Sequence, residues 1–245
     1  MTWRELHAAL SERSHAGRPV QFWWRDDDAS APSPALERAV GLSRKYAIPL
    51  ALAVIPQEAT PELFHGLHKR VTVLQHGTDH RNRAAAGEKK TEYPDTESVE
   101  SALARIAEGT AKLRSVAEPK FIPVLAPPWN RMRADLLDKL PGIGIRGISA
   151  YGPQKSREPA PGLRQVNTHV DVVAWRRGRR FVGEDEVLAS TVRLLRSMEG
   201  PIGWLTHHAV HDAATWDFLE RLFTLKEVRW LSAAEAFSYT APAHG

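Results

Sequence analysis

Val20-Gln21-Phe22-Trp23-Trp24-Arg25-Asp26-Asp27-Asp28-Ala29 changes character abruptly, from an apolar run to one cation and three adjacent carboxylates. An apolar run of this length reads as a buried strand, and its sudden polar end as the rim of the layer it belongs to. Six more runs, at 50–55, 71–74, 121–125, 145–148, 170–173 and 202–205, have strand length with turn signals nearby. Helical segments separate many of them. Thr2 with Glu5 and Ser232 with Glu235 fit capping boxes, and Ser33-Pro34 and Thr60-Pro61 fit helix starts. Longer helices are expected over 96–116 and 184–198. Strand and helix alternating about seven times implies parallel strands with helical crossovers, in a barrel or a doubly wound sheet.

Composition narrows the function. The chain has 245 residues, a length that α/β barrels commonly use as one domain. Polar segments at 81–95 and 151–162 read as loops, so 1–245 is expected to be a single domain. With no Cys there is no disulfide framework, no thiolate nucleophile and no closed Cys-bound zinc. The net charge of +4 is spread along the chain, and its densest cluster, Arg176 to Arg180, reads as a solvated turn. No nucleic-acid partner is expected. G-x-G-x-x-G does not follow the first strand, and no G-x-x-x-x-G-K-S/T occurs, which removes the main nucleotide-binding signatures. Residues 1–6 carry no apolar signal region, and no stretch nears the roughly 18 apolar residues of a membrane span. The expectation is a cytoplasmic protein with no membrane span.

The unusual polar residues cluster after strands. Asp26-Asp27-Asp28 follows the first, His76-Gly77-Thr78-Asp79-His80 the third, Pro127-Pro128-Trp129 the run ending at Leu125, and His207-His208 the last. Loops at the carboxyl ends of parallel strands converge on one rim, where active sites are built. Three ionised carboxylates side by side repel one another, so a divalent metal or an Arg such as Arg25 is needed among them. His76 and His80 are spaced i, i+4, and one helical turn puts both imidazoles within reach of one ion. With a carboxylate they make a two-His, one-Asp set that leaves positions open for water and substrate. Neighbouring strand residues face opposite ways, so only one of His207 and His208 enters the site. His65, His68 and His211 are assigned no role.

These motifs, in this order, resemble those of the polysaccharide deacetylases, the family-four carbohydrate esterases that share the NodB-homology domain. Arg25-Asp26-Asp27-Asp28-Ala29 resembles the family's T-F-D-D-G. Aligned through Ala29, this implies Asp27 as catalytic base and Asp28 as metal ligand; the extra Asp26 makes a one-residue shift the alternative. His76 to His80 resembles H-S/T-x-x-H, implying both His as metal ligands. Ala126-Pro127-Pro128-Trp129 resembles R-x-P-Y/W with the Arg replaced by Ala126, implying Pro128 and Trp129 at the groove. Asp171-Val172-Val173-Ala174-Trp175 resembles D-x-x-D-W with one acid missing. Leu205-Thr206-His207 fits L-x-H, implying His207 as a general acid oriented by Asp171.

The resemblance implies a distorted (β/α)7 barrel and metal-dependent removal of N-acetyl groups from amino sugars. One divalent ion is implied, zinc before Co, Ni, Mn or Fe, on Asp28, His76 and His80. Trp129, Trp175 and Trp24 are the residues expected to stack on sugar faces. The expected partner is an N-acetylated carbohydrate or a small amide. Two alternatives remain: a metal-dependent amidohydrolase acting on a non-sugar C–N bond, and an inactive barrel that only binds glycans.

Overall fold

The apolar runs form strands that lie side by side and parallel. The computed structural model describes residues 1–239. Its first half contains α1 (Trp3–His15), β1 (Gln21–Ala29), α2 (Pro34–Lys45), β2 (Leu50–Val54), α3 (Glu62–His65), β3 (Val71–His76), α4 (Val99–Ala117) and β4 (Phe121–Ala126). Then come the short strands β5 (Gly147–Ile148), β6 (Arg164–Gln165), β7 (Val170–Asp171), β8 (Val173–Ala174) and β9 (Arg180–Phe181). The chain continues through α5 (Glu184–Ser197), β10 (Ile202–Thr206), α6 (Ala213–Leu222), β11 (Arg229–Leu231) and α7 (Ala233–Phe237). The main sheet runs β6-β5-β4-β3-β2-β1-β10-β7, with β11 beside β1, and all its pairings are parallel. It curls into a distorted (β/α) barrel. The chain itself crosses the seam between β6 and β7: Asn167 O accepts from Trp23 Nε1, and His169 N–H donates to Gly203 O.

Strand alternation sorts the core into two layers. Trp23, Ala51, Ala53, Leu74, Ile122, Val124 and Ala126 share one cluster with Phe237 of α7, which meets Trp23 edge-on at 5.9 Å. The residues between them, including Phe22, Trp24, Leu50, Leu52, Val71, Val73 and Trp204, pack with the helices in another. Burial on both faces is why these strands read as continuous apolar runs.

The capping boxes at Thr2 and Ser232 form, and Ser33 caps α2. Thr60-Pro61 starts only the single turn α3, with no side-chain cap. The run at 145–148 yields just two paired residues. The run at 170–173 divides between β7 and β8, while β6, β9 and β11, two or three residues each, are too short to leave an apolar run. Arg176 to Arg180 lies at the exposed turn of the antiparallel β8–β9 hairpin, as expected of a solvated turn. Among the described residues, no helix is long and apolar enough to cross a membrane.

The seam sets a test of the packing. A Cβ on Gly203 would meet Asn167 O at 2.6 Å and Thr168 Cα at 2.7 Å, both backbone atoms. Gly41, exposed on α2, has nothing within 4 Å of its Cβ position. Gly203→Ala should therefore cost about 1–3 kcal/mol, seen as a Tm drop of several degrees. Gly41→Ala should leave Tm unchanged or raise it through helix propensity. Equal Tm values for the two variants would contradict this seam.

Candidate active site

Strand parity decides which way each carboxylate of β1 points. Arg25 and Asp27 face the inner side with Trp23, and Asp26 faces outward with Trp24. Asp28 breaks the alternation: its φ is +70°, and the β1–β2 register shifts between Asp26 and Ala29. This bulge turns two consecutive carboxylates, Asp27 and Asp28, toward the mouth of the barrel.

Asp28 meets the histidines of the β3 loop. His76 Nε2 is 3.0 Å and His80 Nε2 3.3 Å from Asp28 Oδ1, a buried oxygen with no aligned hydrogen-bond donor. His76 Nδ1–H donates to Ala126 O at 2.9 Å, which leaves the Nε2 lone pair available to a metal. Burial works against charge on Asp28, but the two imidazoles hold its carboxyl far below the ordinary range. One carboxylate oxygen and two imidazole nitrogens converging on an orphaned position fit a divalent ion.

The histidine segment is not the helical turn its spacing suggests. Residues 77–80 form an irregular bend with Gly77 at φ +59° and His80 at φ +54°. Buried Glu92 supports it, accepting from Thr78 N–H at 2.8 Å and Asp79 N–H at 3.2 Å, with Arg105 alongside at 3.3 Å. A Cβ at Gly77 would strike Glu92 Oε2 and Pro128, so glycine is required there. Glu92 lies in a polar loop that gave no signal of this role.

Asp27 is gripped by Arg25. Nη2–H donates to Asp27 Oδ2 at 2.9 Å; Nε lies 2.8 Å from Oδ1, with its N–H not aligned on that oxygen. His207 Nε2 stands 3.9 Å from Asp27 Oδ2. The expected direct bond from Asp171 to His207 does not form. The Asp171 carboxylate instead accepts from Val173 N–H at 2.9 Å and Trp175 Nε1–H at 2.8 Å. The Trp175 ring then meets His207 edge-on at 4.6 Å, so Asp171 reaches the imidazole only through Trp175. Burial pushes the Asp171 carboxyl up despite those partners. His211, given no role from sequence, accepts the His207 N–H on Nε2 at 3.2 Å, and burial takes its pKa down to about 4.

Asp26 and His208 pair on the outer side. His208 Nδ1 lies 2.5 Å from Asp26 Oδ1, while Thr206 Oγ1–H and His208 N–H donate to Oδ2 at 2.6 and 3.1 Å. Both side chains are buried. Burial opposes both charges, yet each partner sustains the other: Asp26 is held below its ordinary pKa and His208 above. Asp26 is thus turned away from the mouth. Trp24, expected as a sugar platform, is core: it is buried against Phe223 at 4.7 Å, with its Nε1–H on Thr206 Oγ1. Pro128 is buried against the histidine bend. Trp129 packs on His80 at 4.6 Å, and Trp175 is exposed at the other side beside His207.

No family model matches the sequence, and no curated protein matches it. Solved structures do share the fold. A family 4 carbohydrate esterase from Streptomyces lividans in complex with acetate aligns at TM-score 0.55 and 14% identity, over 85% of this chain and 90% of that one. A family 4 acetyl xylan esterase from Clostridium thermocellum in complex with a cobalt ion aligns at TM-score 0.58 and 12% identity, over 89% and 90%. A peptidoglycan N-acetylglucosamine deacetylase aligns at TM-score 0.59 and 12% identity, over 91% and 90%. The barrel is therefore of the polysaccharide deacetylase type.

The outer pair yields its own prediction. His208→Ala leaves Asp26 buried and uncompensated, which should cost about 3–5 kcal/mol. Asp26→Asn with His208→Ala should recover part of that loss in a double-mutant cycle. With His208 raised in the fold, its contribution is fully present below about pH 6.5 and fades as pH climbs through the raised value. Asp26 limits the contribution only far into acid. Denaturant melts at several pH values should show the wild-type advantage over the double variant shrinking on the alkaline side. A pH-independent difference would contradict an ionised pair.

Proposed function

We propose that this chain is a metal-dependent deacetylase that removes the N-acetyl group of an amino sugar or sugar conjugate. What carries the reading is the convergence, at one barrel mouth, of the Asp28, His76, His80 donor set with a carboxylate and an imidazole 3.9 Å apart, Asp27 and His207. The shared fold of carbohydrate esterases and deacetylases supports the substrate class.

Asp28, His76 and His80 would hold a divalent ion, zinc in the first instance, which would supply Lewis-acid polarisation of the acyl group and lower the pKa of a water. Asp27 takes the proton of the attacking water: its Oδ1 is buried beside Arg25 with no aligned donor. His207 Nε2 gives a proton to the departing nitrogen, which is otherwise a very poor leaving group. Trp175, anchored on Asp171, limits how the His207 ring can turn. Trp129 beside His80 and Trp175 beside His207 stand as two aromatic walls for the apolar faces of a sugar ring. An inactive glycan-binding barrel would need a lost base, acid or ligand, and all five residues are present.

Acetate release from a panel of N-acetylated sugars, with chelator and with added metals, tests the proposal. Turnover should vanish with chelator and return with zinc or cobalt. Asp27→Asn should lower turnover by about 10²–10⁴-fold with metal content unchanged. Asp28→Asn should lose the metal itself. No acetate from any substrate with the metal bound would exclude this reading.

A further inference from the structure

We infer that Arg25 is the positioning residue of the base and that, through Asn130, it ties the base to the Trp129 wall. The inference rests on the proposed hydrolase reading, in which Asp27 takes the proton. A fully buried guanidinium is costly unless a counter-charge and hydrogen-bond acceptors compensate it. Arg25 is 0% exposed. Its Nη1 donates to Ser149 O and Ser149 Oγ, both at 2.7 Å, and its Nη2 to Asp27 Oδ2 at 2.9 Å and Asn130 Oδ1 at 2.7 Å. Its Nε lies 2.8 Å from Asp27 Oδ1 as an ion-pair contact, with its N–H not aligned on that oxygen, so the four Nη N–H groups carry the hydrogen bonding. All its acceptors other than Asp27 are neutral, so its charge is left for that one carboxylate.

The Asn130 bond gives the guanidinium a second duty. Trp129 and Asn130 are consecutive non-glycine residues at φ +55° and +56°. The left-handed region is costly for Trp129 and milder for Asn130, and the pair persists where its surroundings impose it. Arg25 Nη2 is one of the groups that impose it, beside Asn130 N–H on Pro127 O at 2.9 Å. The turn presents the Trp129 ring to His80. One planar fork thereby sets the direction of the base and the place of the aromatic wall, which a point-charge lysine cannot do. Arg25 enters from β1, while Ala126, where the resembled motif carries an Arg, is a buried methyl on the inner face of β4.

The test compares metal-loaded wild type, Arg25→Lys and Asn130→Ala on a substrate that wild type turns over and Asp27→Asn does not. Arg25→Lys should lower kcat by about 10²-fold, the scale of a misplaced catalytic group, with metal content unchanged. Asn130→Ala keeps the charge on Asp27 and loosens the wall, so KM should rise severalfold and exceed the change in kcat. In protein labelled with 15N-arginine, one guanidinium should show Nη protons protected from exchange, and its signals should shift in both Asp27→Asn and Asn130→Ala. That spectrum decides the matter even if Arg25→Lys fails to fold. Arg25→Lys with kcat within threefold of wild type, or no guanidinium responding to both substitutions, would overturn the inference while leaving the hydrolase reading intact. A wild type that turns over nothing while the guanidinium responds as expected would sink the hydrolase reading, leaving Arg25 to position Asp27 and Trp129.

Discussion

Three adjacent carboxylates at the end of one strand repel one another, and the arrangement of the mouth follows from neutralising each of them separately. At an effective dielectric of about 20, two like charges 4 Å apart cost about 4 kcal/mol. Alternation sends Asp26 outward to His208 and Thr206, while Asp27 goes inward to Arg25. The bulge at Asp28 carries the third carboxylate to His76 and His80, where a bound ion would complete the compensation. No two of the three share a direct ion-pair partner. That separation lets a structural pair, the proposed base and the proposed metal ligand stand next to one another in sequence.

The geometry depends on backbone that the core holds under strain. Among the described residues, seven non-glycine positions have positive φ, and four of them, Asp28, His80, Trp129 and Asn130, lie at this mouth. Such conformations persist where strands beneath them are rigid. Here β1 to β4 are buried on both faces, and the histidine bend is braced from below by Glu92 and Pro128.

The parts of this arrangement legible in sequence were those with a local signature. Apolar runs marked the strands because both faces of each are buried, and the polar breaks after them marked the rim. Strand-end placement grouped His76 and His80 with a carboxylate, and the family resemblance singled out Asp28, although the i, i+4 spacing belongs to a bend around Gly77 and not to a helix. Partnerships set by distant parts of the chain left no signature. Glu92 sits in a polar loop, Ser149 and Asn130 are single polar residues, and His211 looked like a solvated helix residue. Arg25 was visible as a cation near the carboxylates, but its choice of Asp27 depends on strand parity and on acceptors more than 100 positions away. Trp24 misled because its parity places it with Asp26 on the helix side, in the core. The resemblance implies that Asp171 orients His207, but nothing in the sequence shows that Trp175 stands between them.

The central claim is that the three carboxylates have separate fates and that only Asp28 holds metal. Diffraction from a zinc-loaded crystal, collected on both sides of the zinc absorption edge, tests it most directly. The account predicts one anomalous peak about 2.0–2.2 Å from Asp28 oxygen and the Nε2 atoms of His76 and His80, with Asp27 still on Arg25 and Asp26 on His208. A peak coordinated by Asp26 or Asp27 in place of Asp28, or zinc bound only elsewhere, would contradict it.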